Sequence, residues 1–179
     1  MVRRRMQANG KWRFAAACLA LAAVTAAQAA QAGAIREWKL APDGFGPLKV
    51  GMRFAQVRRL APGLRSTPPD LRASSHCDQL PLPGHPGVAL MFVDDELKRI
   101  DLFHPGPRTT RGVQPGDPVE QALRAYPGLA AKPRAYEEDE RFLTGRSGAN
   151  AIRFETEKGR IENIHAGRWA QVRYIEGCL

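Results

Sequence analysis

Apolar residues at helical spacing occur twice along this chain, each time just before a Pro-Gly pair. Val119, Ala122, Leu123 and Tyr126 fall on one helical face ahead of Pro127-Gly128, and Phe54, Val57 and Leu60 do the same ahead of Pro62-Gly63. The proline ring cannot continue the helical ladder and glycine accepts a left-handed turn, so both helices should end there. Asp117-Pro118-Val119-Glu120 reads as a helix start, with an Asp cap, Pro in the first turn and Glu three residues after the cap. Two-turn helices do not persist alone and must dock on a partner. The partner follows each in sequence. Residues 88–93 and 98–103 are β-rich and flank Asp94-Asp95-Glu96-Leu97, which predicts a hairpin, and residues 151–154 and 160–164 repeat it around Lys158-Gly159. Residues 141–143 and 171–175 are further strand candidates, and residues 35–40 an extended entry. The Pro-rich stretch 68–86 reads as loop with short strands.

The chain also aligns with itself. Residues 48–64 (LKVGMRFAQVRRLAPGL) match residues 113–129 (VQPGDPVEQALRAYPGL) with Gly51 on Gly116, sharing Gln56/Gln121, Arg59/Arg124 and the Pro-Gly-Leu exit. Residues 91–106 then match residues 152–167, sharing Glu96/Glu157, Arg99/Arg160, Ile100/Ile161, His104/His165 and Gly106/Gly167. The expected fold is therefore α+β: two tandem helix-then-antiparallel-hairpin repeats, with helices packed on one face of an antiparallel sheet. The first repeat would span residues 33–109 and the second residues 110–179.

Residues 1–32 read differently. Arg3, Arg4, Arg5, Lys11 and Arg13 precede an apolar run from Phe14 to Ala27, and Ala27-Gln28-Ala29 and Ala30-Gln31-Ala32 follow as small-x-small cleavage patterns. This is the layout of a secretory signal peptide, removed on export. Cys18 precedes most of the apolar run, which does not suit a lipid-attachment site. Elsewhere no apolar run is long enough for a membrane span, so no stable membrane insertion is expected after cleavage. The whole chain carries 27 Lys+Arg against 18 Asp+Glu, a formal +9, but five of the cations and none of the acids lie in residues 1–32. The remainder mixes both signs, which is not the clustered footprint of a nucleic-acid binder. Cys77 and Cys178 are then the remaining pair, and in an exported protein, periplasmic or secreted, they predict a disulfide. The alternative is a Cys77 nucleophile beside His76.

The Leu48-Lys49-Val50-Gly51-Met52 entry, Gln56-Val57, the Pro62-Gly63 exit and their second copies resemble the tandem-repeat fold of the secreted β-lactamase inhibitor proteins. The same pattern is similar to the helix-then-meander domain of small outer-membrane assembly lipoproteins. The resemblance implies a sheet whose open face receives a protein or other ligand, with no catalytic chemistry. The inhibitors have a disulfide within each repeat, and the lipoproteins an N-terminal lipidated cysteine; this chain has neither pattern.

Strand alternation puts Arg99, Asp101 and Phe103 on one face, matched by Arg160, Glu162 and Ile164. With Ile100 and Ile161 turned to the helices, Arg99, Asp101, Arg160 and Glu162 would form a polar binding platform. The plainer account is a row of cross-strand ion pairs, worth about 0.2–1 kcal/mol each. Trp169 and Tyr174 could add contact area for a protein or sugar, or simply dock the tail. His104 and His165 fall at equivalent strand ends, but no His-x-His or Cys-x-x-Cys completes a metal set. The run Glu137-Glu138-Asp139-Glu140 lacks a calcium loop's alternation and reads as a solvated loop. No nucleophile elbow, phosphate loop or His-Glu-x-x-His is present. The expected function is an exported, non-enzymatic binding module without cofactor or metal, recognising or inhibiting a protein partner through its open sheet face. The alternative is a lectin-like binder of cell-envelope carbohydrate, and a hydrolase using His76, His104 or His165 is a third class.

Overall fold

Antiparallel strand pairing organises the protein. The computed structural model describes residues 38–178 apart from Ala73, Ala135, Tyr136 and Glu176, so the expected signal peptide lies outside the described residues. Strands β1 (Lys39–Ala41), β2 (Gly44–Phe45) and β3 (Leu48–Lys49) form a short meander. Strand β4 (Cys77–Pro81), the hairpin of β5 (Val88–Val93) and β6 (Glu96–Leu102), and β7 (Arg108–Thr109) follow. Strands β8 (Ala130–Arg134), β9 (Glu137–Ser147), β10 (Asn150–Glu157) and β11 (Arg160–Arg168) complete the set. They make a four-stranded sheet, β3-β2-β1-β7, and a seven-stranded sheet, β4-β5-β6-β11-β10-β9-β8.

The α+β expectation is thereby corrected: the protein is mostly β, 44% strand against 16% helix, in sheets of four and seven strands. The helices α1 (Phe54–Leu60), α2 (Val119–Ala125) and α3 (Trp169–Val172) are short. The reason lies in how little they bury. Val57 is the buried residue of α1 and Ala122 that of α2, while Leu60 and Leu123 stay 42% and 45% exposed. Strands β5, β6, β10 and β11 supply most of the interior instead, through residues such as Leu90, Ile100, Leu102, Phe154 and Ile164. Leu40, Phe45 and Leu48 of the small sheet extend the same apolar cluster.

Three local expectations also change. Asp117 does not cap α2; Pro118 holds that position, and the Asp117 carboxylate accepts from Gln114 N and Gln121 Nε2 at 3.0 and 2.8 Å. Residues 137–140 open β9 rather than forming a loop. Residues 171–175 are not a strand, because the chain turns into α3 directly after β11.

Backbone hydrogen bonds, rather than side-chain identity, fix which positions in the two halves correspond. Gly51 N donates to Leu97 O and Gly116 N to Ile161 O, at 2.8 and 2.7 Å. Leu97 N donates back to Met52 O and Ile161 N to Asp117 O, at 2.8 and 2.9 Å. Gly51 thus matches Gly116 as aligned, but Leu97 matches Ile161, and the pairing of Arg99 with Arg160 and of His104 with His165 slips by three residues. Each hairpin closes on two residues with positive φ, Asp94-Asp95 and Lys158-Gly159, which suits the twist of the flanking strands. Each also carries a bulge, between Met91 and Phe92 in β5 and between Glu155 and Thr156 in β10. Lys98 and Glu162 are the extra residues opposite, so Leu97 and Ile100 both reach the core, as do Ile161 and Ile164. The bulge breaks the expected Arg160-Glu162-Ile164 alternation. Under the corrected correspondence Asp101 matches His165, and these two are Cα partners where β6 meets β11. The sheet order is symmetric outward from that pair, with β8 added at one edge.

Candidate functional site on the polar face of the main sheet

The face of the main sheet turned away from α1 and α2 is polar, because its residues alternate with the core-facing ones. Asp101 lies at its centre with no exposed surface. Its carboxyl accepts from Gln79 Nε2 at 2.6 Å and meets His165 Nδ1 at 2.6 Å. Arg99 Nε lies 2.8 Å away, an ion pair without hydrogen-bond alignment. On the other side of the imidazole, His165 Nε2 stands 3.3 Å from Glu155 Oε1, and Glu155 Oε2 accepts from Asn163 Nδ2 at 3.0 Å. The result is a buried chain of carboxyl, imidazole and carboxyl.

Electrostatics make that chain charged. Burial alone would depress the His165 pKa, but the flanking Asp101 and Glu155 outweigh it and raise it to about 9. Burial likewise opposes ionisation of Glu155, yet His165 and the Asn163 hydrogen bond hold its pKa down to about 2. An imidazolium therefore ties two strands of one half to β6 of the other. Both its nitrogens are engaged, which suits a staple and leaves neither for proton exchange with a ligand.

The C-terminal segment closes this face. Arg99 NH1 donates to Gln171 O at 3.0 Å, and Cys178 is disulfide-bonded to Cys77 at the start of β4, with 5.4 Å between their Cα atoms. The disulfide removes Cys77 as a nucleophile. Gly167 lets β11 approach β6 closely: at its φ of +147°, a Cβ would stand 2.1 Å from Lys98 O.

Beyond the staple, towards β8, the polar face opens into a recess of about 380 Å³. Lys132 of β8, Arg146 of β9, Arg153 of β10 and Arg173, just past α3, line it together with Phe142 and Trp169. The register explains the convergence: Lys132 pairs with Phe142, and Thr144 with Arg153, so these side chains share one face. The Arg153 guanidinium lies 4.5 Å from the Phe142 ring centroid and 5.5 Å from that of Trp169. Arg146 stands 4.5 Å over Trp169. Arg153 is only 6% exposed, its Nε has no hydrogen-bond partner, and burial lowers its pKa.

The sequence-selected residues are distributed differently from the expected platform. Arg99 and Asp101 are buried inside the staple. Arg160 is exposed at the head of β11 and donates from NH1 to Gly116 O at 2.8 Å. Glu162 accepts from Arg134 NH1 at 2.6 Å on the bulge. Trp169 walls the recess, and Tyr174 is 42% exposed beyond it. His104 is exposed and packs on Gly87, whereas His165 is buried, so the two share no site. His76 is exposed and stands 3.0 Å from Asp94 through Nδ1. Sequence reasoning missed Arg153, Glu155, Gln79 and the recess cations. The signal for two of them was present, since Arg153 and Glu155 alternate with Ile152 and Phe154.

Fold and site define a mostly-β domain with an internal correspondence of halves, a disulfide-tied C-terminal segment and a basic, aromatic recess. Compared with family models, with curated proteins and with solved structures, the chain matches none. No helix among the described residues is long and apolar enough to cross a membrane.

Proposed function

We propose that this chain is an exported, non-enzymatic binding module that recognises a protein partner, with inhibition of that partner as one consequence. The supporting observation is the recess: four cations and two aromatic rings converge on one concave patch of the sheet, the composition that anchors interfaces. The Cys77–Cys178 disulfide and the leader-like residues 1–32 support export to an oxidising compartment, periplasmic or extracellular. The non-enzymatic reading is supported by the closure of the Asp101–His165–Glu155 chain, whose groups are buried and mutually bonded. The resemblance to secreted inhibitor proteins is in keeping with a protein ligand. A carbohydrate ligand has less support, because the Trp169 ring already carries two guanidiniums and offers a sugar less bare surface.

The test is a screen of the purified, disulfide-intact chain against a peptide library and a glycan array, repeated with Trp169→Ala. Peptide binding that Trp169→Ala weakens supports the proposal. Glycan binding alone, or ligands indifferent to Trp169, would overturn it.

A further inference from the structure

Arg153 is a buried cation without a matching anion. Glu155, the carboxylate whose charge acts on it, is committed to His165 and Asn163, and no ion pair to Arg153 forms within 4 Å among the described residues. Two aromatic rings flank it, but its Nε is unpartnered. Leaving a desolvated charge unpaired is costly, so a site of this kind gains most from a ligand that supplies the opposite charge.

The surroundings point the same way. Lys132, Arg146 and Arg173 share the recess, and among the described residues no Asp or Glu lines it. The cavity of about 420 Å³ beside Cys77 is different, because its acids are already engaged. Asp78 accepts from Thr67 N and Oγ1, and Asp94 pairs with His76. In the basic recess, by contrast, Arg146 makes among the described residues a 3.4 Å contact to the Gly148 carbonyl besides its ring stacking. Stacking fixes the plane of a guanidinium and leaves its edge available for paired hydrogen bonds to a planar carboxylate.

We infer that this recess is a carboxylate-binding site that takes the acidic side chains of an extended peptide segment from a partner protein. The inference rests on the binding-module reading and adds the chemistry of the ligand. A peptide fits the approach: β8 is an edge strand, and Ala130 and Ala131 at its start are small and exposed. An extended segment can lie beside that edge and turn its carboxylates inward over Lys132, Arg153 and Arg146.

The test uses the full mature chain with its disulfide intact and isothermal titration against four probes: a capped hexaglutamate, a capped hexaglutamine, a trigalacturonate and inorganic phosphate. The glutamate peptide should bind, more weakly as salt rises, and the glutamine peptide should not. Arg173→Glu, an exposed substitution that leaves the core untouched, should weaken binding by about tenfold or more, and Arg153→Gln by at least as much. Lys158→Glu, on a distant hairpin turn, should leave affinity within about twofold. Equal binding of both peptides, or indifference to Arg173→Glu, overturns the inference. Binding of trigalacturonate without hexaglutamate overturns it in favour of an acidic glycan, and binding of phosphate alone reduces the recess to an unspecific anion site. If neutral library peptides bind in a Trp169-dependent way while hexaglutamate does not, the ligand chemistry fails and the binding-module reading survives. If no peptide of any kind binds, both fail.

Discussion

The His165 staple should make folding stability depend on pH in a defined direction. Its pKa is raised from 6.5 to about 9 in the folded protein, so the folded state holds a proton that the unfolded chain releases above 6.5. The contribution is therefore complete below pH 6.5 and disappears as pH rises towards 9. At about 1.4 kcal/mol per pH unit, that interval corresponds to about 3 kcal/mol. The acid limb has the opposite sense. Glu155 is lowered from 4.5 to about 2, so its contribution is present above 4.5 and is lost as pH falls towards 2. The two limbs share one contact, His165 to Glu155, and their magnitudes do not add. Replacing His165 by Gln keeps a polar side chain of similar reach but removes the charge, so both limbs should shrink together. The assay is urea unfolding of the oxidised protein from pH 3 to pH 10, for the natural chain and for His165→Gln. The natural chain should lose about 3 kcal/mol more than the variant between pH 6 and pH 10. Parallel stability curves across that range would show that His165 is not protonated in the folded state, and the reasoning would be wrong.

Two further outcomes follow from the same geometry. Reduction of the Cys77–Cys178 disulfide, or the double substitution to serine, opens a loop spanning 101 positions and should cost up to about 4.7 kcal/mol in the chain-entropy model; urea unfolding with and without reductant measures it, and identical midpoints would refute it. Gly167→Ala puts a methyl group into Lys98 O at a backbone angle that favours glycine, and should cost about 2–5 kcal/mol by thermal unfolding; an unchanged melting temperature would contradict the close β6–β11 approach.

Features governed by neighbouring residues were legible in the sequence. Proline and glycine fixed where α1 and α2 stop, and Lys158-Gly159 marked a hairpin turn that forms with both residues at positive φ. Cys77 and Cys178 announced their bond, because outside residues 1–32 there is no other cysteine for either to meet. Tertiary structure decided what depends on register. A single extra residue, Glu162, reverses the alternation of β11 and sends His165, rather than a partner of His104, to the polar face. Burial was decided the same way: Arg99 and Asp101 look like surface residues until the C-terminal segment is tied across them. The recess cations come from β8, β9, β10 and the turn after α3, positions up to 41 residues apart that only sheet pairing and the tail's path bring together. Local chemistry sets turns, helix ends and cross-link candidates, whereas a charged site on a sheet is a sum over strand registers, and register is settled only when the whole core packs.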